Sequence, residues 1–424
     1  MLLLKNGQVL DRNLGFRVAD VLIDGRQIVK IAAGIEVKDA RVINVAGQVV
    51  VPGFIDVHVH MREPGFEHKE TIRAATAAAA RGGFTTIAAM PNTNPVPDST
   101  ESLAVVQDLI EKDAVVRVLP YAAITKNEAG DELVDFAMLA DDVFAFSDDG
   151  RGIQSAGMMY NAMVQAKSVG KPLVAHCEDE SLLFGGYLHA GDYAREHGHR
   201  GISSVSESVH VARDVLLAQA TGVHYHVCHV STSASVELIR WAKSQGIHVT
   251  AEVAPHHLLL SDKDIPADGD GISNFKMNPP LRSENDRRAL IAGLLDGTID
   301  MIATDHAPHG ADEKALDVSI APFGIVGLET AFPLLYTHFV KSGQMDLKQL
   351  IDCMASKPAA VFGLDYGVLA EGAIADIAVI DLEAEWIVDV SKFVSMGQNS
   401  PFGGYDVSSR VTLTIVDGEV VYNS

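Results

Sequence analysis

The sequence has few cysteines, few basic residues and no long apolar run. Its 424 residues include three cysteines, Cys177, Cys228 and Cys353, and no two of them form a CxxC pair. A set this sparse and odd argues against a disulfide framework and against a thiolate zinc site, and it fits a reducing compartment. No window approaches the roughly 18 consecutive apolar residues of a membrane-spanning helix, and residues 1–7 lack the basic segment of a secretory signal. We therefore expect a cytoplasmic protein with no membrane partner.

Positive charge is also scarce. The chain carries 33 Lys and Arg against 56 Asp and Glu, which gives a formal net charge of −23. A field of this sign repels phosphate backbones, so nucleic acid is not an expected partner. An anionic small molecule would need a local positive site, such as a buried arginine or a metal ion.

Both ends of the chain are rich in short apolar runs separated by turn signals. An Asp24-Gly25 turn separates two such runs near the start, and Asp417-Gly418 does the same near the end. Neither end is large enough to bury a core alone. We expect residues 1–52 and 364–424 to pack together as one small β-sandwich domain.

The middle of the chain, residues 53–363, alternates short apolar runs with longer helical patterns, which is typical of repeated βα units. The eight apolar runs are Phe54–His60, Thr85–Met90, Val116–Ile124, Val143–Ser147, Pro172–His176, His224–Val230, His248–Val253 and Ile299–Thr304. The clearest helical patterns are Glu70–Arg81, Gly157–Ser168, Ser206–Ala220, Ser233–Gln245 and Asp286–Leu295. This pattern predicts an α/β fold with a (β/α)8 barrel of the TIM type.

Metal-ligating side chains follow five of the eight predicted strands, at the end where such barrels place their chemistry. They are His58, His60, Asp149, His176, His229 and Asp305. His58 and His60 are two residues apart, so they project from the same face of one strand. Four imidazoles and two carboxylates exceed the needs of one tetrahedral zinc. We therefore predict two zinc ions about 3.5–4 Å apart, bridged by a shared carboxylate and a hydroxide.

Side-chain alternation along a strand argues against several neighbouring groups. It places His224 and His226 opposite to His229, and His306 opposite to Asp305, so none of these three is expected to bind metal. Cys177 and Cys228 are each one residue out of the ligand register, and we interpret them as small buried residues. His256 and His257 stay ambiguous between packing, support of the ligands and metal binding.

Three motifs give the chain a family resemblance. The segments GFIDVHVHMREPG at residues 53–65, PNT at 91–93 and ATDHAPH at 303–309 resemble the amidohydrolase superfamily, specifically the bacterial type I dihydroorotases. The resemblance extends over essentially the whole chain, through the segments 255–258, 276–282 and 322–330. It implies reversible interconversion of N-carbamoyl-L-aspartate and L-dihydroorotate at a zinc centre, the ring-closing step of pyrimidine biosynthesis.

The resemblance also implies a division of the ligands. His58, His60 and Asp305 would hold one zinc ion, and His176 and His229 the other, with Asp149 between them. Many related enzymes bridge their metals with a carboxylated lysine, but the fourth predicted strand contains none. Lys126, just past the third strand, is a weaker alternative to Asp149.

A metal-held hydroxide can attack a ring amide at neutral pH, because the metal lowers the pKa of water towards about 7. Asp305 is placed to take a proton as general base and to return it to the ring nitrogen as general acid. The planar guanidinium of Arg62 suits the substrate carboxylate. From the resemblance, the other substrate contacts are His60, Asn92, Asn278 and His309, together with the backbone of Phe323 and Gly324.

Other interpretations remain open. Hydantoinases, dihydropyrimidinases and allantoinases share the barrel and metal site but act on other cyclic amides, and a homologue without activity could serve as a scaffold. Family habit suggests a homodimer, and association with a neighbouring pathway enzyme is possible. The polar segment 310–322 is hypothesised to be a lid over the substrate.

Overall fold

The computed structural model describes residues 1–11, 15–267 and 271–424. The strands of the first part are β1 (Leu2–Asp11), β2 (Gly15–Asp24), β3 (Gln27–Ala32), β4 (Arg41–Asn44), β5 (Val49–Pro52), β6 (Phe54–Val59), β7 (Phe84–Ala89) and β8 (Arg117–Pro120). Those of the second part are β9 (Leu173–Ala175), β10 (Leu188–His189), β11 (Gly201–Ile202), β12 (Tyr225–Val227), β13 (Val249–Val253), β14 (Met301–Ile302), β15 (Ile377–Ile387), β16 (Asp406–Val416) and β17 (Glu419–Asn423).

Helices lie mainly between the strands of the middle segment. They are α1 (Ile72–Arg81), α2 (Thr100–Asp113), α3 (Phe136–Leu139), α4 (Ala156–Ser168), α5 (Asp192–His197), α6 (Ser204–Thr221), α7 (Ser233–Ser244), α8 (Pro255–Leu259), α9 (Glu284–Asp296), α10 (Ala311–Lys314), α11 (Ala331–Leu335), α12 (Leu347–Met354) and α13 (Ser356–Phe362). The chain therefore has the alternating character of an α/β protein, with a strand-rich part formed by its two ends.

The strands of the two ends share one eight-stranded sheet. Its order is β17-β16-β15-β5-β1-β2-β3, and β4 pairs with β1. The link between the ends is β5, which pairs antiparallel with β15 and parallel with β1. All four residues of β5 are buried, and Val50 packs with Ile377 and Val379 from the other end of the chain. The division into the domains 1–52, 53–363 and 364–424 stays a prediction.

The middle strands form two parallel sheets, β6-β7-β8 and β14-β13-β12-β9. The run predicted as a strand at Val143–Ser147 does not form a regular strand. Only Phe146 makes sheet-like bridges, to Ala122 on one side and to Leu173 on the other. A bridge also joins Val59, at the end of β6, to His306. These bridges connect the two sheets along both edges.

Helix ends follow local capping chemistry. The first helix begins at Ile72 rather than at Glu70, because the Thr71 side chain accepts a hydrogen bond from the Ala74 amide and so caps the helix. Glu70 turns away, and its carboxylate accepts hydrogen bonds from Ser395 and Met396. A helix C-terminus shows the same kind of control: α9 is followed by Gly297, whose φ of 81° is a left-handed conformation suited to glycine.

Candidate metal centre

Six buried side chains meet at the carboxyl ends of the middle strands. His58 lies at the end of β6 and His60 just past it, and the other four follow Phe146, β9, β12 and β14. These four are Asp149, His176, His229 and Asp305, and all six side chains are buried. Since the strands are parallel within each sheet, their carboxyl ends lie on one side of the fold. The residues predicted as metal ligands are therefore brought together.

The Asp149 carboxylate lies at the centre of this cluster. Its Oδ1 is 3.4 Å from His58 Nε2 and 3.7 Å from both His176 Nδ1 and His229 Nε2. Its Oδ2 is 3.4 Å from His60 Nε2. Two groups with metal-binding spacing result, one of His58, His60 and Asp149 and one of Asp149, His176 and His229. Asp149 belongs to both groups.

Asp305 adds a second carboxylate to the first group. Its Oδ1 is 3.0 Å from His60 Nε2 and 3.5 Å from His58 Nε2. Asp305 has a φ of 50° and His229 a φ of 29°, although neither is a glycine. Such conformations cost of order 1–3 kcal/mol each and persist where the surroundings fix them. The backbone strain of the chain is thus partly concentrated at this cluster.

The charges of the cluster depend on one another. Burial alone would raise the pKa of Asp149, but the imidazoles around it, His58 first, hold that pKa well below its usual range. Burial works against a charged His58, yet Asp149 and Glu252 raise its pKa well above the ordinary value. His58 Nε2 and Asp149 Oδ1 are buried without a hydrogen-bond partner among the described residues. A cation between them would satisfy both atoms.

Beside the cluster lies a cavity of about 140 Å³, and most of the predicted substrate contacts line it. Its walls are formed by His60, Arg62, Asn92, Asp149, Gly150, His176, Asn278, Asp305, Ala307, Phe323 and Gly324. Arg62 has a φ of 62°. Its Nε donates to the Pro308 carbonyl at 3.1 Å, which fixes the guanidinium. Burial lowers the pKa of Arg62 to about 10, and the guanidinium remains a cation at neutral pH.

His309 is not among the residues that line the cavity. Its Nε2 lies 3.2 Å from Arg62 Nη2 and 2.7 Å from the Phe323 carbonyl oxygen. Burial, with Arg62 and Lys69 nearby, lowers the pKa of His309 to about 2, so the ring is neutral. Lys69 Nζ lies 3.3 Å from His309 Nδ1, so that nitrogen accepts and the single proton of the neutral ring is on Nε2, which donates it to the Phe323 carbonyl. His309 therefore holds the Phe323 backbone, and Arg62 packs beside the ring without a hydrogen bond to it.

Asn92 and Asn278 have unequal surroundings. Asn92 Oδ1 lies 2.9 Å from His60 Nδ1, which leaves His60 Nε2 to face the carboxylates. Asn278 donates to Glu178 at 3.0 Å, and its Oδ1 is buried without a hydrogen-bond partner among the described residues.

Gly324 has a φ of 147°, and a Cβ there would lie 2.5 Å from the Ala307 carbonyl oxygen, so glycine is required.

Several groups excluded by alternation have other partners. His306 Nδ1 accepts a hydrogen bond from the Gly327 amide at 3.1 Å. Cys177 Sγ is 3.1 Å from the Tyr225 hydroxyl. Cys228 lies with His58 and Glu252 in a third group of metal-binding spacing, and burial raises the pKa of its thiol, which keeps the proton.

The two histidines left ambiguous by the sequence are also buried. His257 Nε2 donates to the Pro279 carbonyl at 2.9 Å, and burial lowers the pKa of His256 to about 4.

Two further expectations concern loops near the site. Asp148 accepts hydrogen bonds from the amides of Ile124 and Thr125 at 2.6 and 3.1 Å, while Lys126 pairs with Glu132 in a half-exposed position. In the segment hypothesised as a lid, the buried Lys314 ammonium donates to the carbonyls of Pro322 and Gly324. These bonds hold the segment against the loop that carries the cavity wall.

Sequence reasoning missed Glu252, the side chain that holds His58 from behind. Its Oε1 is 2.6 Å from His58 Nδ1, and its Oε2 is 3.1 Å from His226 Nε2. Glu252 is the penultimate residue of β13, as His58 is of β6, so its position at a strand end could have found it. A carboxylate within a buried strand was a second signal, since a buried charge needs a partner.

None of the helices in the described residues is long and apolar enough to cross a membrane.

Comparisons with known proteins agree with one another. The family profile described as Dihydro-orotase-like matches residues 47–235. A protein of Staphylococcus epidermidis named dihydroorotase is 57% identical over 425 residues, covering 100% of this chain and 99% of that protein. A Staphylococcus aureus protein of the same name is 57% identical over 424 residues, with the same coverage.

Solved structures extend the likeness to other ring hydrolases. An L-hydantoinase from Arthrobacter aurescens superimposes with a TM-score of 0.88 at 28% identity, covering 100% of this chain and 96% of that one. A D-hydantoinase from a Thermus species gives 0.87 at 26% identity, covering 100% and 95%. The overall fold is thus similar to that of these hydantoinases, an α/β fold with a strand-rich part.

Proposed function

The chain belongs to the dihydroorotase family, and from this premise we propose how its buried cluster interconverts N-carbamoyl-L-aspartate and L-dihydroorotate. The activity is that of a cyclic amide hydrolase in pyrimidine biosynthesis, acting on a small-molecule substrate. Identity of 57% over the full length of the chain supports it. The observation that carries the mechanism is the Asp149 carboxylate surrounded by four imidazoles.

The donor set fits two zinc ions. Imidazole and carboxylate are ligands that zinc prefers, and the two unpaired buried atoms, His58 Nε2 and Asp149 Oδ1, face each other. We assign His58, His60 and Asp305 to one ion and His176 and His229 to the other, with Asp149 shared. When bound, such ions polarise a carbonyl and lower the pKa of water towards about 7.

Asp305 handles the proton in this scheme. Its Oδ1 lies near His60 and His58, and Asp305 forms part of the cavity wall. The carboxylate takes a proton from the attacking water during ring opening and returns it to the departing ring nitrogen. Ring closure runs through the same two transfers in reverse, by microscopic reversibility.

Arg62 binds the carboxylate that distinguishes dihydroorotate from an uncharged hydantoin. It is a buried cation in the cavity wall of a protein with net charge −23. Asn92 shares that wall, and the Pro308 carbonyl orients Arg62, with His309 packed beside it. Asn278 Oδ1 is free to accept from a ring N–H, and the rigid Phe323-Gly324 backbone lies beside it. His60 contributes to the same wall.

Several wider features belong to the same proposal. We propose that the bridges at Phe146 and Val59 close the middle strands into a barrel of eight, flanked by the terminal sheet as a separate domain. We further propose that the protein is a cytoplasmic enzyme, that it forms a homodimer, and that it associates with a neighbouring pathway enzyme. A scaffold without activity is disfavoured, because all six ligand positions are filled and face one another.

A direct assay separates this function from that of the hydantoinases, whose fold is so similar. The metal-analysed protein should turn over dihydroorotate far faster than unsubstituted hydantoin. Arg62→Ala should lower kcat/KM for dihydroorotate about 10- to 100-fold, the worth of a charged hydrogen-bonding pair, and change hydantoin turnover little. Arg62→Lys keeps the charge but not the planar fork, and should fall between. Faster turnover of hydantoin by the unaltered protein would contradict the assignment.

A further inference from the structure

We propose that Thr250 and His226 are positioning residues that act through Glu252 to hold His58 in the tautomer with a bare Nε2. The proposal rests on the metal centre proposed above, because it concerns a ligand of that centre. It goes beyond the ligands themselves to a chain of side chains that leads from His58 on β6 to residues on β13, on β12 and just before β12. In order, the chain is His58, Glu252, His226, Thr250 and His224.

Glu252 fixes the protons on both imidazoles that it contacts. Its Oε1 lies 2.6 Å from His58 Nδ1 and also accepts from the His229 amide at 3.2 Å. Its Oε2 lies 3.1 Å from His226 Nε2. A carboxylate can only accept, so both imidazole nitrogens facing it must carry hydrogen. When a cation occupies the cluster His58 is neutral, and with its one proton held on Nδ1 it presents a bare Nε2 to that cation.

The state of His226 then determines that of Thr250. A neutral imidazole carries one N–H, and in His226 that N–H is on Nε2. His226 Nδ1 must therefore accept, and it lies 2.8 Å from Thr250 Oγ1. The Thr250 hydroxyl is thus the donor. The opposite tautomer of His226 would turn a lone pair towards the Glu252 carboxylate.

His224 completes the chain from the other side. Its Nε2 is 2.8 Å from the same Thr250 oxygen, which has already committed its proton to His226. His224 must therefore donate. Burial, aided by His226 and His248, lowers the pKa of His224 to about 3, so a single N–H on a neutral ring meets this need. Every hydrogen in the chain then points in one direction, from His224 through Thr250 and His226 to Glu252.

Water cannot easily replace these partners. His58 and His226 are fully buried and Glu252 is 1% exposed, and the Phe362 ring packs edge-on against His226 at 5.1 Å. Removing the Thr250 hydroxyl would leave His226 Nδ1 without its donor. Groups that orient metal-bound histidines from outside typically change metal affinity 10- to 100-fold. Thr250, two partners removed from His58, should fall at the lower end of that range.

Two measurements on the full-length protein test the proposal. Long-range ¹H–¹⁵N correlation of ¹⁵N-histidine-labelled, zinc-loaded protein reads each tautomer directly, and His226 is assigned by its loss in His226→Gln. We expect a neutral His226 protonated at Nε2. Separately, competition with a chromophoric chelator gives Zn²⁺ affinity for Thr250→Val, which keeps the shape and loses the hydroxyl, and for Thr250→Ser, which keeps the hydroxyl.

Zn²⁺ affinity should fall about tenfold in Thr250→Val and stay within about twofold in Thr250→Ser. A purely structural role would lower thermal stability in both variants without separating their affinities. A His226 that is cationic or protonated at Nδ1 in the unaltered protein would overturn the proposal, as would unchanged Zn²⁺ affinity in Thr250→Val. The NMR measurement needs no substrate, so a wrong tautomer would contradict the positioning proposal without bearing on the dihydroorotase assay.

Discussion

The two halves of the candidate metal centre are built differently around the same carboxylate. On one side, His58 and His60 each have Nδ1 secured from behind, by Glu252 at 2.6 Å and Asn92 at 2.9 Å. On the other side, His176 Nδ1 and His229 Nε2 face each other at 3.0 Å, and His176 Nε2 is 3.7 Å from Glu178. The imidazoles of the first half are oriented by other side chains without a metal. In the second half, two imidazole nitrogens face each other where a metal ion would lie.

This difference indicates where a cation matters most for structure. Two imidazole nitrogens in contact satisfy each other only if one of them carries a proton. A metal ion between them would resolve the competition. We therefore expect the first half to keep its geometry in metal-free protein and the second half to depend on the ion.

The largest effect should come from the residue that the two halves share. Asp149→Asn replaces the central charge with an amide, so both groups lose a ligand. We expect bound zinc to fall by at least one ion per chain and kcat for dihydroorotate to fall by about 10³-fold or more, because nucleophile generation and carbonyl polarisation both depend on the ions. Metal analysis and steady-state kinetics measure the two losses.

Asp148 provides the matched control for that variant, since it is the adjacent buried carboxylate. Its oxygens accept from Ile124, Thr125 and the Thr125 hydroxyl instead of facing the imidazoles. Asp148→Asn should therefore lower unfolding free energy by about 1–3 kcal/mol and retain its zinc. Equal metal loss in both variants would argue against a special role for Asp149.

A second comparison separates the halves by their effect on folding. In metal-free protein, His58→Ala removes a close partner of the buried Glu252 carboxylate and should cost about 1–3 kcal/mol of unfolding free energy. His176→Ala removes one of two competing nitrogens and should cost less. Urea unfolding in the presence of a chelator gives both values. Similar losses would mean that the two halves are equally organised without metal.

Sequence patterns predicted the ligands better than their supports. The strand-end rule found six side chains that the structure places together, because a parallel sheet sends its carboxyl ends to one side. Alternation predicted that His226 and His229 lie on opposite faces of one strand. The positive φ of His229, just past the end of β12, breaks the regular pleat there. The His226 ring and the His229 amide both contact Glu252. A register rule that assumes a regular strand cannot anticipate such a break.

The hydrophobic pattern also failed to predict where a regular strand forms. The apolar run at 143–147 predicted a strand. The Phe144 and Ser147 amides donate to the Pro120 and Ala122 carbonyls, but bridges to both neighbouring segments are made by Phe146 alone in this run, so no regular strand results. The chain leaves the sheet where Asp148 turns back to bind the amides of Ile124 and Thr125. Those bonds join residues more than twenty positions apart, and local periodicity carries no information about them.

The smallest expected effect concerns a buried carboxyl that lacks the imidazoles of Asp149. Burial, with Asp148 and Asp149 nearby, raises the pKa of Glu128 to about 9, whereas the imidazoles depress that of Asp149. Because the folded-state pKa of Glu128 lies above its unfolded value of about 4.3, the folded protein binds the extra proton between the two values. Its contribution to stability is present below about pH 4 and is lost as the pH rises towards 9.

Glu128→Gln cannot ionise, so it should remove this loss. We expect the variant to match the parent near pH 5 and to exceed it by about 1 kcal/mol or more near pH 8, because each pH unit between the unfolded-state and folded-state pKa values of Glu128 costs the parent up to about 1.4 kcal/mol. Urea unfolding at the two pH values gives the difference, with Glu132→Gln, an exposed carboxylate of the same loop, as the control. A variant less stable than the parent at pH 8 would mean that Glu128 is ionised and paired. The difference between the pKa values of Glu128 and Asp149 would then not be explained by the imidazoles around Asp149.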